Sequence, residues 1–330
     1  MVSIKELKIK ENDIKQLFSS PLERKVALGK VKDFLITLVK IAILVGVGYV
    51  ILSPLIGMFV QSIASTEDIY NPMMYVLPQH PSLEKYSLAA LRMDYFQTIV
   101  GNMFYTLSLT VIQLIVCSMV GYGFARFNFK FKGLLFACVV IMIVIPTHTI
   151  MLPLYMTFKN FDIFGIINAI NGEPLNLMST VWPMYIMTAL GCGVRSGLYI
   201  YIFTQFFRGL PKEIEEAAFV DGAGVWYTYF RIMLVNAMPS VITVTVFSIV
   251  WQFNDVFYSN LFLINENVVI SKKIASLAGV LANQDKILNV TIQQQYVDAG
   301  IIMTLAPIIF VYLLLQKQFI EGAERSGIVG

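Results

Sequence analysis

The chain has 330 residues, of which 57% are hydrophobic and only 14% charged. An average soluble domain carries about a quarter of its residues as charges, so this balance excludes an ordinary soluble fold and implies a membrane protein. The net charge of +3 says little by its sum, because the basic residues matter by location, and no nucleic-acid partner is expected. Three cysteines, Cys117, Cys138 and Cys192, sit singly in apolar segments. They form neither a disulfide framework nor a metal spacing, and read as small buried hydrophobes.

Residues 1–32 read as a solvated helical segment that Pro21 interrupts, with a basic stretch lying on anionic lipid as the alternative. Apolar runs long enough to cross a bilayer, about 20 residues, follow at roughly 34–60, 97–122, 133–156, 177–203, 237–260 and 298–316. Tyr95 to Ala125, Gly133 to Phe158, Ile232 to Asn254 and Ala299 to Gln316 contain no Asp, Glu, Lys or Arg. The first run is too long for a signal-peptide core and has no small-residue cleavage site close behind it. It is expected to stay as an anchor.

In the third run, Pro146 and Pro153 predict a kink whose freed carbonyls need neighbours or water. His148, between them, reads either as a residue lining a polar path or as a packed interhelical hydrogen-bonder. Arg195 lies inside the fourth run, about nine residues from its end, which places it roughly 13 Å deep. A charge at the bilayer centre costs about 2.5–3.5 kcal/mol. Its head is therefore expected to face a polar interior as a pathway or gate residue, with helix packing or snorkelling as the alternative. Asn254 and Asp255, at the end of the fifth run, are polar for their depth and read either as path residues or as an interfacial cap.

Orientation follows from Lys and Arg in the connecting segments. Residues 1–32 hold eight, 126–132 three, 204–236 three and the tail 317–330 two, while the alternate connections 61–96, 157–176 and 261–297 hold six spread over many more positions. The expected architecture is an all-α membrane protein with six transmembrane helices and both termini cytosolic. The N-terminal segment 1–32 precedes a transmembrane domain, 33–330, with a cytosolic loop at 204–236 and a cytosolic tail at 317–330.

The segment PKEIEEAAFVDGAGVWYTYFRIML, Pro211 to Leu234, carries four acids and two bases within this apolar chain. Pro211 suits the first position of a helix, where its missing N–H costs nothing. Glu213, Glu215 and Glu216 complement the positive end of the helix dipole. Ala217 and Ala218 are strong helix formers with little bulk, and Gly222 supplies a turn between two short helices. Such a hairpin suits insertion into another protein's groove; an ordinary surface helix joining two spans is the alternative.

Glu216-Ala217-Ala218, three residues, Gly222, nine residues, and then Ile232 and Leu234 is a spacing that resembles the EAA loop of ABC importer permeases. Further stretches resemble carbohydrate importers of the maltose type: FTQFFRGLPKEIEEAAFVDGAG, PSLEKYSL, GYGFARFNFKFKG, FNDVFYSNLFL and the tail QKQFIEGAERSGIVG. The likeness covers about residues 80 to 330. It departs from the family pattern at Val235, Phe253, Thr204 and Val329, and NGEPLNLM at 171–178 is longer than the usual outer turn.

The resemblance implies the type I ABC importer permease fold in a bacterial or archaeal cytoplasmic membrane, and a multi-pass subunit surrounded by lipid. Its implied partners are a second homologous permease, two ABC ATPase subunits and an extracytoplasmic solute-binding protein. Coupling to the ATPase would run through Glu215, Glu216, Ala217, Ala218, Asp221, Gly222 and Ala223. The implied solute is a mono- or oligosaccharide, with glycerol phosphate or a polyamine as the alternative and a membrane scaffold or enzyme as a more distant one. The chain lacks a phosphate-cradling Gly-x-x-x-x-Gly-Lys motif, so no cofactor, metal or catalytic residue is expected and ATP chemistry falls to a partner.

Overall fold

The computed structural model of the protein describes residues 21–70, 78–265 and 268–327. Residues 1–20 of the expected N-terminal segment, and the tail positions Val329 and Gly330, lie outside the described residues. Among those described the chain is built of helices, with no strand and two isolated bridges, Ala64 to Pro81 and Phe161 to Leu175. It divides into two compact units, Met1–Val60 and Gln61–Gly330.

The first unit is made by helix α1 (Pro21–Ile63). The described part of this helix opens on Pro21, a position where no N–H is needed, and what precedes it lies outside the described residues. From Gly29 to Ile63 the helix is long and apolar enough to cross a membrane.

In the second unit the helices are α2 (Glu84–Arg92), α3 (Tyr95–Arg126), α4 (Lys132–Val144), α5 (Met151–Lys159), α6 (Ile166–Asn171), α7 (Trp182–Ala189) and α8 (Ser196–Gly209). They continue as α9 (Lys212–Val220), α10 (Val225–Asn236), α11 (Met238–Phe253), α12 (Phe257–Leu261), α13 (Ile270–Gln284) and α14 (Val290–Gly327). The middle of α10, Thr228–Met233, is π-helical. Tyr95–Arg126 and Val290–Lys317 are each long and apolar enough to span.

One expected run carries the kink predicted at Pro146, and another is corrected by the structure. The third is not one helix: α4 ends at Val144, Pro146 leaves the helical path, a short 3-10 turn covers Thr147–Ile150, and the chain turns by 107° into α5. The proline that cannot donate to the preceding turn is the cause. The fourth run is likewise broken, between α7 and α8, where Gly191 and Arg195 both adopt left-handed backbone (φ 74° and 59°). Arg195 is therefore not a mid-helix residue; it stands just before α8, the full length of that helix, about 20 Å, from Gly209. A third bend, 77°, separates α10 from α11 at Ala237, with Pro239 in the first turn of α11.

Helices α3 and α8 form the centre of the unit. Tyr199, Phe203 and Phe207 recur every fourth residue on α8, so they share one face, and all three are fully buried with Tyr229 and Met233 of α10. Gly121 of α3 lies so close to α8 that an added Cβ would meet the Phe203 Cβ at 2.6 Å and the Thr204 amide nitrogen at 3.1 Å. Only glycine fits there.

The Asp94 end of α3 is tied by charges. Arg92 forms a bidentate pair with Asp285 (2.9 and 2.5 Å), and Lys273 reaches Asp94 at 3.0 Å. Asp68 accepts the His80 backbone N–H at 2.9 Å, which holds its carboxyl below the usual range. Lys85 is buried beside them and its ammonium donates to the Ala64 carbonyl. Burial pushes the Lys85 amine down to about 8 from its ordinary 10.5, with Asp68 and Glu84 opposing the shift.

The sign of the resulting pH dependence is fixed. Below about 8 both folded and unfolded chains hold this proton; between about 8 and 10.5 the unfolded chain alone holds it, so stability rises with pH through that window. The thermal midpoint of the purified protein should climb relative to Lys85→Met as pH goes from 7.5 to 10. Parallel curves for the two proteins would show that Lys85 keeps an ordinary affinity for its proton.

Candidate functional site: a polar hairpin and an arginine-lined cavity

The hairpin from Pro211 to Leu234 is α9, a tight turn and α10. Glu213 and Glu215 lie in the first turn of α9, where the unsatisfied N–H groups favour negative charge. The helix ends in a Schellman arrangement: Gly222 N–H donates to Phe219 O at 3.0 Å and Ala223 N–H to Ala218 O at 2.9 Å. Gly222 takes φ 83°, and no atom lies within 4 Å of where a Cβ would be. The glycine is thus required by backbone conformation, and no close contact inside this chain adds to the demand.

The structure divides the seven hairpin residues singled out from the sequence. Glu216, Ala217, Asp221 and Gly222 are exposed, Ala223 is half-buried, and Glu215 and Ala218 are buried. The exposed set continues into Val220 (86% exposed), Trp226 (63%) and Tyr227 (60%). A polar hairpin that leaves three large apolar side chains this open carries a patch of the kind that marks a protein contact.

Glu215 faces the body of its own chain. Its carboxylate accepts a hydrogen bond from the Tyr122 hydroxyl and lies 3.2 Å from the Arg126 Nε, with the glutamate and arginine side chains 10% and 5% exposed. The Nε–H is not aligned for a hydrogen bond, so that contact is an electrostatic pair; the Arg126 Nη2 donates instead to Leu210 O at 2.9 Å. Tyr122 is packed by Phe207 and Tyr229, with ring centroids 5.5 and 5.2 Å away. Tyr229 in turn hydrogen-bonds Ser118 at 2.6 Å. The foot of α3 therefore grips both arms of the hairpin.

Removing one member of a buried ion pair leaves the other uncompensated, at a cost of about 3–5 kcal/mol. Arg126→Leu should lower the thermal midpoint sharply, and Arg126→Leu with Glu215→Leu should recover most of the loss. Additive losses in this double-mutant cycle would show that the two side chains do not interact.

A cavity of about 580 Å³, within the usual range for small-molecule sites, opens between the ends of α4, α7, α8, α11 and α12. Arg195, Asn254 and Asp255 all line it, together with Trp251, Cys192 and Phe257. His148 stands next to it, its ring 4.8 Å from that of Phe257. The four polar residues singled out along the chain thus converge on one region. Their roles differ. The Arg195 guanidinium lies over the Trp251 ring at 4.2 Å. Asn254 donates to Val250 O at 2.9 Å. Asp255 caps α12, accepting from the backbone N–H groups of Tyr258 (3.3 Å) and Ser259 (3.0 Å) and from the Ser259 hydroxyl (3.0 Å).

Sequence reasoning missed the polar cluster behind the cavity wall. Gln113, fully buried in α3, donates to Val194 O at 2.7 Å and lies 2.9 Å from the Ser196 Oγ. Its carbonyl accepts from Ser248 at 2.8 Å and from Gln252 at 3.0 Å. Thr110 joins through Ser248 at 3.0 Å. The signal was available: a glutamine in the middle of a charge-free run, and Ser248 and Gln252 one helical turn apart on another.

A family model described as "Binding-protein-dependent transport system inner membrane component" matches residues 115–322. The chain is 25% identical over 288 residues to the arabinooligosaccharides transport system permease protein of Halalkalibacterium halodurans, covering 86% of this chain and 93% of that one. It is 26% identical over 258 residues to the melibiose/raffinose/stachyose import permease protein of Bacillus subtilis, covering 78% and 84%. A chain in the crystal structure of a bacterial ABC transporter involved in importing the acidic polysaccharide alginate shares the fold, with TM-score 0.68 over 87% of this chain and 98% of its own at 19% identity. With the match spanning α3 to α14, and so holding both the hairpin and the cavity, the chain belongs to the family of binding-protein-dependent transport system inner membrane components.

Proposed function

We propose that this chain is one permease subunit of an ATP-driven, binding-protein-dependent importer that moves a mono- or oligosaccharide across the cytoplasmic membrane by alternating access. It crosses the membrane six times with both termini cytosolic, the bent α4–α5 pair, the broken α7–α8 run and α11 each counting as one crossing. The segment 1–32, the loop 204–236 and the tail 317–330 lie in the cytosol. A second homologous permease completes the pathway, two ABC ATPase subunits supply the energy, and an extracytoplasmic binding protein delivers the solute.

The observation that carries this reading is the hairpin: a small-residue surface, open apolar side chains at its tip, and a buried Glu215–Arg126 pair that joins it to a membrane helix. A surface helix that merely linked two spans would need none of the three. The saccharide is supported by the sugar-importing relatives and by a cavity with aromatic and polar walls. In this reading Glu216, Ala217, Asp221 and Gly222 meet the ATPase, Glu215, Ala218 and Ala223 set the hairpin's shape, and Arg195, His148, Asn254 and Asp255 border the solute path.

A residue with Cβ forced into left-handed geometry costs about 1–2 kcal/mol. Gly222→Val and Glu216→Lys should each leave membrane insertion intact while weakening ATPase capture or uncoupling ATP hydrolysis from uptake. A cysteine at the exposed Ala217 should cross-link to the ATPase and not to the binding protein. Wild-type uptake by both variants, or cross-links from Ala217 only to the binding protein, would remove the hairpin from the coupling path.

Orientation is tested separately by reporter fusions. Fusions near Gly224 and after Gln318 should read cytosolic, and one near Leu83 should read extracytoplasmic. A cytosolic signal at Leu83 would reverse the assignment.

A further inference from the structure

The cavity holds a cation with no direct ion-pair partner among the described residues. None of the ion pairs among the described residues includes Arg195. The one carboxylate in the cavity wall, Asp255, is occupied by α12, whose first N–H groups and Ser259 hydroxyl it accepts. The contact with Trp251 engages the face of the guanidinium and consumes none of its N–H donors. Gly197 and Leu198, in the first turn of α8, line the same cavity, so the positive end of that helix's dipole adds to the field there.

Arg195 is also held in place. Its backbone is left-handed (φ 59°), a conformation unfavourable for an L-residue that persists only when surrounding structure enforces it. The enforcement is visible on both sides: Gln113 fixes the Val194 carbonyl and the Ser196 hydroxyl at 2.7 and 2.9 Å. A charged group in a membrane interior is expensive and is ordinarily paired. Here its position is specified, and no ion-pair partner stands beside it among the described residues.

We infer that the cavity takes an anionic substituent carried by the transported solute, a carboxylate or a phosphate on a saccharide, and that Arg195 is the residue that selects it. The inference rests on reading the chain as a saccharide permease and narrows the solute to acidic sugars. A guanidinium presents a planar fork that matches either oxyanion bidentately, and an unpaired cation in the cavity wall repels a polyamine. The neutral body of the sugar then lies against the remaining aromatic and apolar wall.

Cys192 lines the same cavity and is exposed, whereas Cys117 is buried. This gives a direct readout in the whole transporter, assembled with its partner permease and ATPases. The rate at which a small neutral maleimide modifies Cys192 is followed by mass spectrometry of the peptide that contains it. Tetragalacturonate, its neutral galactose counterpart, glucose 6-phosphate and glycerol phosphate are added in separate arms.

Acidic sugars should protect Cys192 at concentrations at least about tenfold below those needed by the neutral one, the scale of one charge-assisted hydrogen bond. Arg195→Gln should abolish the difference, and Arg195→Lys, a point charge without the fork, should keep part of it. The uronate and phosphate arms separate the two anions. Equal protection by acidic and neutral sugars, or a preference unchanged by Arg195→Gln, overturns the inference while leaving a saccharide permease standing. Arg195-dependent protection by glycerol phosphate, with none by any sugar, retains the anion site and overturns the saccharide reading. Failure of Arg195→Gln to assemble with the partner permease would assign the missing counter-charge to that subunit, and the inference would fall.

Discussion

Carbonyl and amide groups at membrane depth have no water to turn to, so every interruption of a helix must be repaired by something inside the protein. In this chain the decisive repair is made by Gln113. The break between α7 and α8 frees the Val194 carbonyl, and the Gln113 side chain, reaching across from α3, binds it. That bond satisfies a carbonyl that the broken run would otherwise leave unpaired beside an apolar core. The cavity, the left-handed Arg195 and the position of its guanidinium over Trp251 all lie downstream of it. The cost of burying a glutamine is offset because both ends of its amide are engaged, the carbonyl by Ser248 and Gln252.

The two functional regions stand at opposite ends of α8. Arg195 precedes its first residue and Gly209 closes it just before the hairpin begins. Between them the same helix packs along α3 through Tyr199, Phe203 and Phe207. Helix α3 repeats the pattern, carrying Gln113 behind the cavity and Tyr122 with Arg126 under the hairpin. One pair of helices therefore supports a ligand-sized cavity at one level and the polar hairpin at another.

Much of this was legible in the sequence, and what was not has a physical cause. The hairpin could be read because its determinants are local: a proline start, acids in the first turn, and a glycine whose positive φ the turn demands. Its division into inward and outward faces could not. Whether Glu215 or Glu216 points to solvent depends on Tyr122 and Arg126, some ninety residues away. Hydropathy likewise located the apolar runs but not their breaks, because a window average does not register two helices meeting at 107°. Pro146 did announce the first break; at Arg195 the expectation of a mid-helix charge failed, since Gly191 and Gly193 gave a local signal that the apolar residues around them outweighed. Convergence of Arg195, Asn254 and Asp255 on one cavity is a tertiary fact that depth alone suggested.

The contact at Gly121 has a mechanical meaning. Where the side chain is missing, the α3 backbone receives the base of Phe203, a tooth in a notch with no slack on either side. Sliding one helix along the other would lift that tooth out and drive Cβ into backbone, a deformation that close-packed interiors resist steeply. Helices α3 and α8 are therefore interlocked along their contact, with Arg195 just before one end of α8 and the hairpin just beyond the other. The backbone offers less resistance at the bends between α4 and α5 and between α10 and α11, where it is already turned and its hydrogen-bond ladder already open.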